Sequence, residues 1–418
     1  MGSRNLERWQ HHVTARPGGH EITHRTTLQP SSIIVSGFVR QYTLTVLQPR
    51  VKTGQEVHLR ILLKDEAGQT SKSRDYVARV KGPARRLHVS PSGEDAVNRG
   101  AKDRPLCTVQ YAADRALPGD RILLRPGVYA EAAWLTHGGV AEAARITIEA
   151  EQPGTVTLDG AHREKSLIQL DDAPYVSVRN LRRLYFTSAA VYAYRSPHLK
   201  VDRCVVHPGL GWSMGRDIFC FYSPYATVTR SLIVGGEIGV YFIESPYATV
   251  KGNTCSQFMY AATSYLFSGK GSAQTNNSLA FGGNVVYSIA CRTPEELAGF
   301  RSDYNNVGSR VAEYWTEIGQ KDSDPALWQR IVAEDFKADY PYQLRTWSKG
   351  IIGADKQYET LKDWQEASGQ DKHSIMADPK YVNPLPPIDR WDWRLKPGSP
   401  NIGAGENGAT IGALEAAK

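Results

Sequence analysis

The chain has 418 residues, of which 41% are hydrophobic and 22% charged, a balance that excludes a disordered polymer. It contains no run of about 18 apolar residues, which excludes a membrane-spanning helix. Lys and Arg number 50 against 43 Asp and Glu, a net charge of +7; this charge is spread thinly, without the dense basic block that tracks a phosphate backbone, so nucleic acid is not an expected partner.

Residues 1–30 are polar and unpatterned and read as a flexible N-terminal segment, with no secretory signal visible. Residues 31–85 read as a small antiparallel, sandwich-like β unit: Ser32–Val35, Tyr42–Leu47, the alternating run Val57–Leu63 and Tyr76–Val80 are its strands, with Asp65-Glu66-Ala67-Gly68 as a turn. Thr108 followed by apolar residues at helical spacing from Val109 predicts a short helix. The five cysteines, Cys107, Cys204, Cys220, Cys255 and Cys291, lack paired spacing and read as free thiols.

From residue 167 onward the sequence repeats itself. Ala190–Val201, Asp217–Val228 and Gly239–Val250 align at offsets of 27 and 22 residues, and Leu167–Val178 joins them at 23. Each unit holds a strand, a Pro turn (Ser196-Pro197, Ser223-Pro224, Ser245-Pro246), a second strand and a short third one. Three short strands in so few residues fit one turn, or rung, of a parallel β-helix, in which each rung bonds to the next about 4.8 Å away. Asn180, Asn253 and Asn277 follow the second strand and read as a partial ladder of buried side-chain amides.

Ser90-Pro91-Ser92-Gly93-Glu94-Asp95, Pro118-Gly119-Asp120-Arg121-Ile122-Leu123-Leu124 and Pro126-Gly127-Val128-Tyr129 resemble the opening of right-handed parallel β-helix proteins of the pectate-lyase-like superfamily. Ala377-Asp378-Pro379, Lys396-Pro397-Gly398-Ser399-Pro400 and Ile411-Gly412-Ala413 resemble their close. The resemblance covers about 86–290 and 360–415. It implies an all-β fold, a right-handed single-stranded parallel β-helix over 86–418 preceded by the small N-terminal β unit. A partly helical insertion is expected over 292–372, where Val311-Tyr314-Trp315-Ile318, Leu327-Trp328-Ile331-Val332 and Tyr358-Leu361-Trp364 have helical spacing. That insertion either caps the barrel or walls the binding face. Function is left open, because the superfamily includes lyases, hydrolases, epimerases, tailspikes and binding modules.

In that superfamily sugar chains commonly lie along the sheet built from the first strand of each rung. Period-2 alternation turns Val191, Ile218 and Val240 inward. The outward rows are then Gln169, Tyr192, Phe219, Tyr241, Tyr265 and Asp171, Tyr194, Phe221, Ile243, Phe267. Such aromatics either stack on sugar faces or are covered by another element. Asp217 opens one strand and Glu237 precedes the next, which puts their backbones roughly 8 Å apart. That falls within the ~6.5–9.5 Å window of an acid and a base flanking an inverted glycosidic bond. Elimination from a uronate needs instead a base and a cation or metal, for which His207, Arg216, Lys270 and Tyr241 are candidates. Trp212, in the Gly-rich loop beside Asp217, reads as a sugar contact. Asp172, Arg195, Tyr222 and Glu244 share one turn row, where Arg195 pairing with Asp172 is a structural alternative.

The sequence therefore predicts an extracytoplasmic carbohydrate-active protein, secreted or periplasmic by inference from its substrate. It is expected to cleave glycosidic bonds of a polysaccharide, anionic ones included, with hydrolysis favoured over elimination. The alternatives are a non-catalytic carbohydrate-binding module and an adhesin or tailspike-like structural protein. The expected catalytic set is Asp217, Glu237, His207 and Arg216. The expected substrate contacts are Trp212, Tyr192, Tyr194, Phe219, Tyr241, Tyr222, Glu244 and Arg195. No cofactor is expected, apart from Ca²⁺ in the lyase case, and the protein is expected to be a monomer without membrane partners.

Overall fold

A computed structural model of the chain describes residues 10–16, 22–27, 56–64, 74–79, 84–160, 166–186, 188–207, 215–258, 260–280, 285–307, 342–348, 351–352, 356–358, 360–384 and 392–413. The chain divides into two units, Met1–Arg85 and Arg86–Lys418.

The first unit contains an antiparallel sheet in the order Ile22–Thr27, Gln10–Arg16, Glu56–Lys64, Arg74–Arg79. Two of these strands come from the stretch that sequence patterning left as a flexible segment. His11, His12, Thr14 and Arg16 make Gln10–Arg16 too polar to announce itself, yet it pairs along its length with Glu56–Lys64. The predicted strands Ser32–Val35 and Tyr42–Leu47 lie outside the described residues.

The second unit is the right-handed single-stranded parallel β-helix that the repeats predict, with about seven turns. Sheet I runs from Arg86–Val89 to Arg301–Asp303, sheet II from Gly127–Tyr129 to Asn306–Val307, and sheet III from Ala133–Leu135 to Tyr342–Ser348. Neighbouring rungs pair in parallel, and Val191, Ile218 and Val240 stack in register with no solvent exposure. Two differences from the repeat reading follow from the register. Tyr241 pairs with Ser264 and Phe242 with Tyr265, so Tyr265 lies inside the barrel, stacked on Phe242 at 5.3 Å, and Ser264 takes the outward place. Phe267 is a turn residue with φ 54°. The rung offset there is one residue shorter than an alignment of aromatic on aromatic implies. The segment read as an insertion also contributes rungs. Arg301–Asp303 and Asn306–Val307 extend sheets I and II, and Tyr342–Ser348 pairs parallel with Val285–Cys291 in sheet III.

The corners explain why so regular a coil tolerates so varied a sequence. One left-handed residue per rung ends each sheet III strand (Asp172, Arg195, Tyr222, Glu244, Phe267), and another ends each sheet I strand (Asn180, Arg203, Arg230, Gly252, Asn276, Tyr304). The backbone N–H of most of these residues still bonds to the next rung, as in Arg195 to the Phe221 carbonyl at 3.0 Å, while that of Tyr304 bonds to the Asp303 carboxylate at 2.9 Å. This offsets the roughly 1–2 kcal/mol that an L-residue loses there. Buried serines stitch the first corner: the Ser196 N–H donates to Ser223 Oγ at 2.9 Å, Ser223 to Ser245 at 2.8 Å and Ser245 to Ser268 at 2.9 Å. Asn253, Asn277 and Asn305 do the same at the second, each accepting from the rung before at 2.9 Å or, for Ser231, joining at the start. Asn180 is not in this ladder. It occupies the left-handed corner position itself, with φ 58°.

The ends are closed. The helix Val109–Arg115 is capped by the Thr108 hydroxyl, which accepts from Tyr111 N at 3.1 Å, and buries Val109, Ala112 and Ala113 against the first rungs. At the other end the helix Leu361–Ser368 buries Trp364. Its indole donates to the Asp371 carboxylate at 3.0 Å, as does the Tyr287 hydroxyl at 2.6 Å. Tyr358 of the predicted third helix lies instead in the strand Lys356–Tyr358. The helices predicted around Val311–Ile318 and Leu327–Val332 lie outside the described residues.

Candidate functional site

Sheet III presents one continuous outward column, Trp134, Gln169, Tyr192, Phe219, Tyr241 and Ser264, set by the register of successive strands. Tyr192 and Phe219 pack at 5.2 Å, and Phe219 and Tyr241 at 5.2 Å and nearly parallel. A second column carries Asp171, Tyr194 and Phe221, with Tyr194 and Phe221 at 5.6 Å. Tyr222 follows at the corner, stacked on Phe221 at 4.4 Å and half exposed. The column aromatics are partly exposed. Each ring is braced by its neighbours on adjacent rungs, so the face is rigid before anything binds to it.

Arg216 and Glu237 sit at the edge of this face. Their side chains pair at 3.5 Å, and the Arg216 guanidinium lies 5.7 Å from the Tyr241 ring and 5.9 Å from Phe219. The Glu237 N–H bonds to the Gly215 carbonyl at 2.8 Å, which fixes it two residues out of line with Asp217. These four side chains, Arg216, Glu237, Phe219 and Tyr241, are therefore one surface cluster.

Asp217 belongs to a different layer. Its place in the rung is filled elsewhere by Leu167, Ala190, Gly239, Ala262 and Val286, all buried. Asp217 has no solvent exposure, and neither carboxyl oxygen has a hydrogen-bond partner. Burial alone pushes its pKa well above the usual carboxylate value, because desolvation disfavours the charged form. Gly236, with φ 85°, closes over it, and a Cβ there would stand 2.4 Å from Asp217 Oδ1. His207 is buried as well, and burial lowers its pKa to about 4, so the ring is neutral. The geometry thus separates the predicted catalytic set into a surface pair and two buried groups.

Arg195 and Glu244 are engaged elsewhere on the corner row. Arg195 bonds to Asp172 at 2.7 Å and covers the Tyr194 ring at 4.7 Å. Glu244 pairs with Arg292 at 2.7 Å. Trp212 lies outside the described residues. Trp134, which starts the outward column, was not anticipated: its strand Ala133–Leu135 is too short and too far from the repeat to align with it. Among the described residues no three His, Cys, Asp or Glu side chains gather as a metal site, and no helix is long and apolar enough to cross a membrane.

No family model matches the chain. Uncharacterized protein YwoF of Bacillus subtilis (strain 168) is 29% identical over 109 residues, 25% of this chain and 23% of that protein. The match spans about a quarter of the curated relative's length. Among solved structures, the GH136 lacto-N-biosidase from Eubacterium ramulus is 12% identical with a TM-score of 0.35, covering 54% of this chain and 60% of that one. The family 28 exopolygalacturonase of Yersinia enterocolitica is 11% identical with a TM-score of 0.35, over 74% and 75%. A rhamnogalacturonan lyase is 11% identical with a TM-score of 0.32, over 54% and 57%. Likenesses this slight assign neither an activity nor a substrate to this chain.

Proposed function

We propose that this protein cleaves glycosidic bonds of a polysaccharide that lies along the aromatic face of sheet III, by hydrolysis with Asp217 as general acid and Glu237 as general base. The observation that carries this reading is the buried, unpartnered carboxyl of Asp217, next in sequence to Arg216, which pairs with Glu237 at the surface. A carboxyl buried without a hydrogen bond costs about 1–3 kcal/mol, and small or apolar residues fill the same place on neighbouring rungs. A fold keeps such a group at a cost where chemistry needs a protonated acid at neutral pH. Proton delivery requires the carboxyl to be uncovered when the glycan binds, and Gly236, which packs against it at positive φ beside a second positive-φ glycine, Gly235, is the natural place for that movement. Glu237, on the surface and paired with Arg216, takes in this reading the role of the base that activates a water.

A second reading is supported by one specific feature. Arg216, not Asp217, is the group that reaches the face, and it lies over Tyr241. That pair suits elimination from a uronate, with Arg216 neutralising the carboxylate and Tyr241 as base. Incubation with a polysaccharide panel separates the two, scored for reducing ends and for the ultraviolet absorbance of an unsaturated product. Under the first reading reducing ends appear without unsaturation, and Asp217→Asn and Glu237→Gln each lose about 10²–10⁴-fold in turnover. Unsaturated product moves the assignment to Arg216 and Tyr241. Glycan binding without turnover leaves a binding module. Full activity in either carboxylate variant sinks the acid–base pair.

A further inference from the structure

The aromatic column begins at a residue whose surroundings differ from the rest. Trp134 is the most exposed of the face aromatics at 54%, yet it is held at three points. Its backbone N–H donates to Gln110 Oε1 at 2.6 Å, its carbonyl accepts from Gln110 Nε2 at 3.0 Å, and its indole Nε1 donates to Asp171 Oδ2 at 2.7 Å. The end-closing helix, which carries Gln110, and the next rung, which carries Asp171, therefore fix the ring while leaving its surface open. A large aromatic immobilised in advance loses little entropy when a ligand stacks on it. Gln169 pairs with Trp134 in register and also donates to Asp171 Oδ2 at 2.9 Å. With two donors on Oδ2, the other oxygen of Asp171 is left to accept from outside.

We infer that Trp134, Gln169 and Asp171 form an end subsite of the face that takes an uncharged pyranose unit and turns away a uronate. This rests on the carbohydrate reading above. Trp134 is the platform for the apolar face of the ring, and Asp171 accepts from its hydroxyls. Tyr192, one rung on, stays a protonated donor, because burial, Asp171 and Tyr194 all raise its pKa. The bias against charge follows from what surrounds Asp171. Asp172 is adjacent, and Arg195, the nearby cation, is committed to Asp172 at 2.7 Å. Arg216 is paired with Glu237 at 3.5 Å two rungs beyond Gln169. A sugar carboxylate at this end would meet the Asp171 carboxylate while Arg195 and Arg216 are already paired with Asp172 and Glu237, a like-charge contact that discriminates strongly. From Trp134 to Tyr241 is four rung steps, about 19 Å, a span that suits an oligosaccharide with its terminal unit on the indole. The net charge of +7 made an anionic glycan plausible, but the local charge at this end of the face is of the opposite sign.

The full chain tests this on an array carrying neutral oligosaccharides (gluco-, xylo-, galacto- and manno-configured) and oligouronates, followed by calorimetry on the best ligand. The expected result is a neutral ligand, weakened about tenfold or more by Trp134→Ala and largely restored in Trp134→Phe, which keeps a stacking ring. Asp171→Asn should gain oligouronate binding several-fold. Melting curves that superimpose on the parent's show that the variants are folded. A parent that prefers oligouronates, or a Trp134→Ala variant that binds like the parent, overturns the subsite while leaving glycan cleavage standing. A parent that binds no glycan on the array overturns the carbohydrate reading, and the subsite with it.

Discussion

Replacing Asp217 by Asn or Ala should stabilise the solenoid, and the gain from Asn should grow with pH. In the folded protein burial holds this carboxyl protonated well above the usual carboxylate range. In the unfolded chain it ionises from about pH 4 upward. Between those two values the folded state binds more protons than the unfolded state, so this group lowers stability by about 1.4 kcal/mol for each pH unit until the folded acid itself ionises. The Asn side chain does not titrate and removes that slope. Ala also removes the unpartnered polar group, worth about 1–3 kcal/mol at any pH, and it already fills the equivalent place at Ala190 and Ala262, both buried. For a unit of about 330 residues the unfolding entropy is about 0.7 kcal/mol/K, so each pH unit should add about 2 °C to the difference in Tm between Asp217→Asn and the parent. Paired melting curves from about pH 4 to about pH 8 read this directly. A difference in Tm that stays constant across the range would mean that the folded carboxyl is ionised and solvated, and the argument for a stored acid would fail.

Three further outcomes follow from the same physics. His207, whose pKa burial lowers to about 4, contributes the opposite slope: its stability is present above about pH 6.5 and is lost as pH falls toward about 4. His207→Phe should therefore flatten the acid side of the parent's Tm profile, and an unchanged profile would show the ring to be titrating normally. Asn277→Ala strips the Asn253 N–H and the Val250 carbonyl of partners bound at 2.9 Å each; it should cost about 2–5 kcal/mol, measured by denaturant unfolding. Gly271→Ala puts a Cβ 2.4 Å from Tyr247 Cδ1 at φ 60°. It should cost about 1–2 kcal/mol and alter the near-ultraviolet dichroism of the stacked column Tyr175, His198, Tyr225 and Tyr247, whose rings lie 4.3, 4.8 and 4.9 Å apart.

The coil was readable because its corners repeat. Ser196, Ser223 and Ser245 each turn the chain and each feed a hydroxyl to the preceding rung, so the Ser-Pro spacing reports rung length directly. The pattern faded where the corner lost its proline: Ser268 is followed by Gly269, and with no turn signal the alignment slid one residue, putting Tyr265 outside instead of in the core. It faded again at Arg301–Asp303, a strand of three polar residues that has no alternation to detect and is held by its ladder position through Asn305. In the N-terminal unit the polar strand Gln10–Arg16 gives no period-2 signal, and its order comes from the partner strand Glu56–Lys64.

The candidate site was legible as a set of residues but not as a set of depths. Spacing alone put Asp217 and Glu237 on adjacent rungs, and it could not tell that Asp217 lies beneath the surface, because that depends on a glycine at the start of the next rung. Gly236 is the residue that makes the burial possible. At φ 85° it has the left-handed backbone that glycine favours, and any side chain would strike the carboxyl at 2.4 Å and crowd the Gly215 carbonyl at 3.1 Å. Two costs are thus expected for Gly236→Ala: about 1–2 kcal/mol for the backbone conformation and a further steric cost that exists only while Asp217 is present. The second is separable by a double-mutant cycle. In an Asp217→Ala background Gly236→Ala should lose less stability than in the parent, with a coupling of about 1 kcal/mol or more, seen as Tm differences that do not add. Turnover on a cleaved glycan should also fall in the single Gly236→Ala variant, because the added Cβ displaces the carboxyl from its place against Gly236. Strictly additive melting temperatures would show that the carboxyl does not rest against this glycine, and would remove the physical ground for treating Gly236 as the cover over the acid.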